Sequence, residues 1–159
     1  FLALLRALHS YCHPFLFLLS IMVRLASVEY KGLPKLVAQL PTTGSYVDLS
    51  PVAPNARSFL QGGEAALAQA KELMDSNPTV IAPEECRLLA PIDGSLVGKF
   101  LCIGMNYVDH CTEQNFPIPT EPLVFSKFGS CVVGTGVPLA KDVTTEKLDF
   151  EVELGVVLG

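Results

Sequence analysis

The chain has 159 residues, half of them apolar, and a formal net charge of −5. That length holds one domain, or a small domain and part of a second, and the apolar share is enough for a packed core. The acidic balance, with no basic patch, excludes a protein that depends on phosphate contacts, so nucleic acid is not an expected partner.

In chain order, residues 1–26 carry Arg6 and Arg24 and no acid; the first acid is Glu29. The apolar run 15–23 is shorter than the ~20 residues a membrane span needs, so no stable membrane insertion is expected. A basic, acid-free, Leu-rich leader fits a mitochondrial presequence, with a secretory signal or spurious upstream sequence ahead of Met22 as alternatives. His9 and His13 fall in this leader and receive no role.

Residues 23–30 alternate as a strand does, Lys31-Gly32 turns the chain, and 34–40 pairs back. A second turn at 41–44 leads to a short strand at 45–49, which completes a small β-meander. Asn55 or Ser58 caps a helix, and Phe59, Ala66, Leu67, Ala70, Leu73 and Met74 recur at helical spacing up to Asn77-Pro78. Residues 83–98, rich in Pro and Gly, read as a linker. A strand over 99–105, a helical turn over 107–113, a strand over 123–127 and a Gly-punctuated loop over 129–136 follow. Residues 148–158 read as a final strand.

Five cysteines (Cys12, Cys86, Cys102, Cys111 and Cys131) form no CxxC pair. The odd count fits neither a disulfide framework nor a zinc knuckle, and points to free thiols in a reducing compartment. Residue 1 is Phe, and the last residues stop inside an apolar run. The expectation is a chain truncated at its C-terminus.

Three segments carry chemistry. In Leu148-Asp149-Phe150-Glu151-Val152-Glu153-Leu154, strand alternation places the three acids on one face. Three like charges so placed need a cation, a basic partner or solvent. One reading is a solvated edge strand; the other is a hard divalent ion such as Mg²⁺, which favours carboxylate oxygens. His110 and Glu113 stand at i and i+3 of a helical turn, close enough to touch. A carboxylate beside a His raises its basicity, as a proton-transfer base requires, although surface His–Glu pairs are also common in helices. Lys127, inside the apolar run 123–128, is either a strand end in water or a group that holds an anion.

The order of these pieces is specific. It runs Gly104-Met105-Asn106-Tyr107, then Asp109-His110 and Glu113, then Pro122-Leu123-Val124-Phe125-Ser126-Lys127, then the acidic segment from Asp149 to Gly159. It resembles the fumarylacetoacetate hydrolase superfamily, strongly over 91–159 and more weakly back to residue 23. The resemblance implies an α+β chain with a small N-terminal meander–helix domain over 23–90. The start of a mixed β-sheet half-barrel, the catalytic domain, would follow over 91–159. It implies that Glu151 and Glu153 are carboxylate ligands for Mg²⁺ or Mn²⁺, with a third ligand beyond Gly159. It further implies that His110 and Glu113 form the catalytic pair and that Lys127 contacts substrate.

The function the resemblance implies is metal-dependent chemistry on a small oxo acid through a stabilised enolate, foremost keto–enol tautomerisation of oxaloacetate, in a homodimer. Hydrolysis of C–C bonds in β-diketo acids is one alternative. A non-catalytic chain that pairs with an intact homologue is another. The expected compartment is the mitochondrion, with the cytoplasm as the alternative.

Overall fold

The computed structural model describes residues 23–158. The leader expectations on residues 1–22, and the run 15–23 except its last residue, lie outside the described residues. The described residues are α+β, as the sequence implies, and divide into two compact units. One comprises the chain up to Ile92 together with residues from Gly134 onward; the other is Asp93–Val133.

The first unit is built on a five-stranded antiparallel sheet whose strands lie in the order Val80–Ile81, Tyr46–Asp48, Leu33–Gln39, Arg24–Tyr30, Cys86–Leu88. Strands β1 (Arg24–Tyr30) and β2 (Leu33–Gln39) form a hairpin in which Tyr30 opposes Leu33. Lys31 and Gly32 between them have φ of 51° and 76°. Positive φ at both central residues is what a two-residue hairpin turn requires if its twist is to match the strands. Strand β3 (Tyr46–Asp48) adds to β2, and β4 (Val80–Ile81) adds to β3.

Two helices follow β3 where the spacing predicts one. Helix α1 (Ala56–Gln61) is capped by Asn55, whose Oδ1 accepts from the Ser58 amide at 2.9 Å. Helix α2 (Gly63–Asp75) starts immediately after, and the break falls at Gly62-Gly63. Gly63 has φ of 55°, a conformation that a side chain would strain, so the chain changes helix there instead of merely fraying.

Strand alternation then sets the core. Leu36 and Ala38 point to one face and pack with Leu49, Ala53, Phe59, Ala66 and Ala70 from the helices and their approach. Val37 points to the other face and joins Val28, Tyr46 and Ile81. Each fully buried Val, Leu or Phe contributes roughly 1.5–3 kcal/mol of apolar transfer.

Two expectations are corrected here. The linker read over 83–98 holds a strand, β5 (Cys86–Leu88), which pairs antiparallel with β1. Its signal is masked because Pro83 and Pro91 flank it; what decides the strand is a partner, with Arg87 opposite Glu29 and ion-paired to it at 2.7 Å. The strand read over 148–158 is not formed. Among the described residues these backbone groups join no ladder, and alternation alone does not make a strand where no neighbour supplies hydrogen bonds. Phe150, Val152 and Leu158 stay more than four-fifths exposed.

The second unit holds an antiparallel pair, β6 (Phe100–Gly104) and β7 (Leu123–Lys127), with helix α3 (Val108–Glu113) between them in sequence. Short 3₁₀ turns at Gly94–Leu96 and Gly129–Cys131 flank the pair in sequence. Cys111 is its one buried side chain among the described residues. Cys86, Cys102, Cys111 and Cys131 are free thiols. No described helix is long and apolar enough to cross a membrane.

Candidate functional site

The second unit places His110 and Glu113 on α3, just past the end of β6. Strand β6 ends at Gly104, and the next residue, Met105, has φ of 52°. This left-handed residue turns the chain; Tyr107 then takes the N-cap position of α3 in extended backbone, with no side-chain cap. Helix α3 lasts six residues. Too short to be stable by itself, it is held by its ends. The Phe116 amide donates to the Cys111 carbonyl at 2.8 Å, and Asn115 turns left-handed just past the helix. Asn is among the residues that tolerate that conformation, so the stop is legible in the sequence.

His110 and Glu113 therefore sit where the spacing predicts, one turn apart on a helix. His110 is half-buried and Glu113 exposed. The two side chains make no hydrogen bond or ion pair with each other in this conformation. Residues at i and i+3 of a helix are neighbours on its surface, so the placement permits such a contact.

An open cleft of about 330 Å³ lies beside this junction. Its walls are the end of β6 with Met105 and Asn106, then Val108 and Cys111 of α3, then residues 118–122. Pro117, Pro119 and Pro122 hold that last stretch extended, because proline fixes φ and donates no backbone hydrogen bond. The volume is at the lower end for a small-molecule site. The lining is mostly apolar, with Asn106, Thr120 and Glu121 as its polar members.

Lys127 ends β7 and is exposed. The register pairs it with Phe100, at the end of the ladder away from the Gly104–Leu123 pair that leads to α3. Four residue steps along a strand span roughly 13 Å. The hairpin thus separates the Lys127 backbone from the start of the His110 helix.

Glu151 and Glu153 lie in the other unit, in the exposed segment that follows Lys147. Their oxygens are the right kind of donor for a hard divalent ion. In number the set is incomplete: among the described residues no three His, Cys, Asp or Glu side chains gather as a metal site does. The pair suits part of a coordination sphere.

Sequence reasoning missed Met105 and Cys111. The Cys111 thiol is 1% exposed and donates to the Met105 carbonyl at 3.5 Å. A left-handed Met has no sequence signal, since the residues that announce that conformation are Gly, Asn and Asp. It also missed the close approach of Gly94 and Gly129, where each glycine abuts the other's carbonyl.

Residues 99–159 match the family pattern described as fumarylacetoacetate (FAA) hydrolase C-terminal. That stretch holds β6, α3, β7 and both glutamates, so this part of the chain carries the pattern of the fumarylacetoacetate hydrolase family. Among curated relatives, the Xenopus laevis protein named oxaloacetate tautomerase fahd2, mitochondrial, is 42% identical over 130 residues. The Homo sapiens protein named oxaloacetate tautomerase FAHD2A, mitochondrial, is 44% identical over 101 residues. The matches cover 79% and 64% of this chain, but 40% and 32% of those proteins. A crystal structure described as an HpcE protein from Mycobacterium smegmatis superposes with a TM-score of 0.54 at 22% identity. It covers 74% of this chain and 40% of that one. At that identity the likeness speaks for the fold alone.

Proposed function

We propose that this chain carries part of an oxo-acid enzyme that interconverts the keto and enol forms of oxaloacetate. The observation that carries the reading is the placement of His110 and Glu113 one turn apart on α3, whose Val108 and Cys111 line the cleft although the pair itself does not. The names of the frog and human relatives, both oxaloacetate tautomerases, supply the substrate class.

Tautomerisation needs one proton removed from carbon and one delivered to oxygen. In this reading the neutral His110 imidazole takes the proton from the carbon between the oxo group and the distal carboxylate. As imidazolium, it or a water it contacts returns a proton to the oxo oxygen, so charge and atoms balance. Glu113 orients the ring and favours the imidazolium, as a carboxylate neighbour does. Lys127, away from α3 along the hairpin, holds a carboxylate of the substrate, not the reacting carbon. Glu151 and Glu153 would hold Mg²⁺ or Mn²⁺, which as a Lewis acid stabilises negative charge on an enolate oxygen. Further ligands must come from outside this pair.

Hydrolysis of a C–C bond in a β-diketo acid would use the same base to activate water, and the test separates the two. The full chain is incubated with oxaloacetate and Mg²⁺, enol absorbance is followed, and an acylpyruvate is assayed in parallel for released carboxylic acid. Enol decay faster than buffer, and lost in His110→Ala, supports the tautomerase. Acid release without enol decay supports the hydrolase, and neither activity sinks both.

One observation favours a second reading, a non-catalytic chain that pairs with a longer homologue: Leu148, Phe150, Val152, Leu154, Val156 and Leu158 stand exposed in a segment that joins no described ladder. Co-purification with such a homologue, whose activity is indifferent to His110→Ala in this chain, would support it. Self-association as a homodimer is part of the main reading and is checked by light scattering. A mitochondrial location rests on the relatives' names and on the basic, acid-free residues 1–26. A reporter fused after residue 26 that stays in the cytosol would exclude it.

A further inference from the structure

We propose that Met105 is a positioning residue for His110, acting through its backbone conformation and not through its side chain. The inference rests on the oxo-acid reading only for its kinetic arm. Among the described residues, four non-glycine residues have positive φ: Lys31, Asn77, Met105 and Asn115. Lys31 lies in a hairpin turn, and the two asparagines follow helices, where that conformation is usual. Met105 alone stands where a strand becomes a helix, on the wall of the cleft. For a residue with a Cβ this conformation is disfavoured on the order of tenfold.

The strain is held from α3. Cys111, the residue after His110, donates its thiol to the Met105 carbonyl at 3.5 Å and its amide to the Tyr107 carbonyl at 3.1 Å. Its own carbonyl accepts from Phe116. One buried residue thus ties the bend at 105, the start of α3 and the chain beyond it together. Since α3 has no side-chain cap at Tyr107 and is only six residues long, its direction comes from this junction. The left-handed step at Met105 therefore sets where His110 points. Strain kept at such a place belongs to the arrangement of a site more often than to stability.

The test compares Met105→Gly and Met105→Asn, which adopt positive φ readily, with Met105→Ile, which does not. In the full chain, amide exchange by mass spectrometry follows the amides of 111 and 114–116. The glycine and asparagine variants are expected to keep wild-type protection, and Met105→Ile to lose it by about tenfold, the size of one hydrogen bond. In oxaloacetate turnover, any loss in the glycine and asparagine variants falls on KM, through the truncated side chain. The loss in Met105→Ile falls on kcat.

Loss of protection in the glycine and asparagine variants overturns the proposal, because the side chain is then what matters. Retention in all three overturns it too. Should Met105→Ile fail to fold, the other two variants decide alone. A wild-type chain without turnover refutes the oxo-acid reading and leaves the exchange pattern to judge Met105.

Discussion

Gly94 and Gly129 meet backbone to backbone: a methyl group on either would overlap the other's carbonyl oxygen. Each opens a 3₁₀ turn, one shortly before β6 and one shortly after β7. The contact closes the second unit at the Phe100–Lys127 end of the hairpin, opposite the end that leads to α3. Cys111 and Met105 tie the other end.

Gly94→Ala and Gly129→Ala should each destabilise this unit. The added methyl meets rigid backbone that must move, and overpacking of that kind costs ~1–3 kcal/mol. The expected readout is faster amide exchange across β6 and β7. Gly98→Ala serves as the control, since a methyl there meets nothing within 4 Å.

His110→Ala should lower oxaloacetate tautomerisation by roughly 10²–10⁴-fold, the usual worth of a positioned acid–base group. Glu113→Gln keeps the helix and removes only the charge, so its effect should be smaller and fall on kcat. Lys127→Ala should raise KM more than it lowers kcat, because the register sets Lys127 away from α3. A larger kcat effect at Lys127 than at His110 would contradict this division of labour.

Much of the first unit was legible in the residues, because its signals are local. The turn at Lys31-Gly32, the Asn55 cap and the helical spacing of Ala66 and Ala70 need only neighbours in sequence to be read. Strand β5 was not, since Cys86–Leu88 becomes a strand only through its pairing with β1. The segment around Phe150 failed in the opposite way: its alternation is strong, yet no described strand lies beside it. In the candidate site, the His110–Glu113 spacing was readable, while the strain at Met105 and the burial of Cys111 arise only when β6 meets α3.

Glu151 and Glu153 test whether the acidic segment holds a cation by itself. Mn²⁺ titration of the full chain, followed by calorimetry, should show weak binding that disappears in the Glu151→Gln, Glu153→Gln double variant. Two oxygen donors on an exposed segment leave most of an octahedral sphere to water, which is why the binding is expected to be weak. Binding unchanged in the double variant would place the cation elsewhere.

Asp48 governs an acid-dependent share of stability. Burial pushes its carboxyl pKa up, but hydrogen bonds from Lys35 and from the Ser50 hydroxyl and amide outweigh that. The group is held below the ordinary carboxylate value of 3.8. A carboxyl with a lower pKa in the folded state is ionised there while the unfolded chain still binds protons, so it stabilises at pH above the unfolded value. That share is lost as pH falls from about 3.8 through the lower folded value. Thermal unfolding between pH 2 and 6 (a range set by ~3.8, the ordinary carboxylate value) should show a steep acid limb that is shallower in Asp48→Asn. Because both side chains are partly exposed, the pair with Lys35 contributes only ~0.2–1 kcal/mol at neutral pH. Lys35→Met should therefore lower neutral stability slightly and flatten the acid limb only in part, since Ser50 still holds the carboxylate. An acid limb that is identical in all three proteins would assign the pH dependence to other carboxylates.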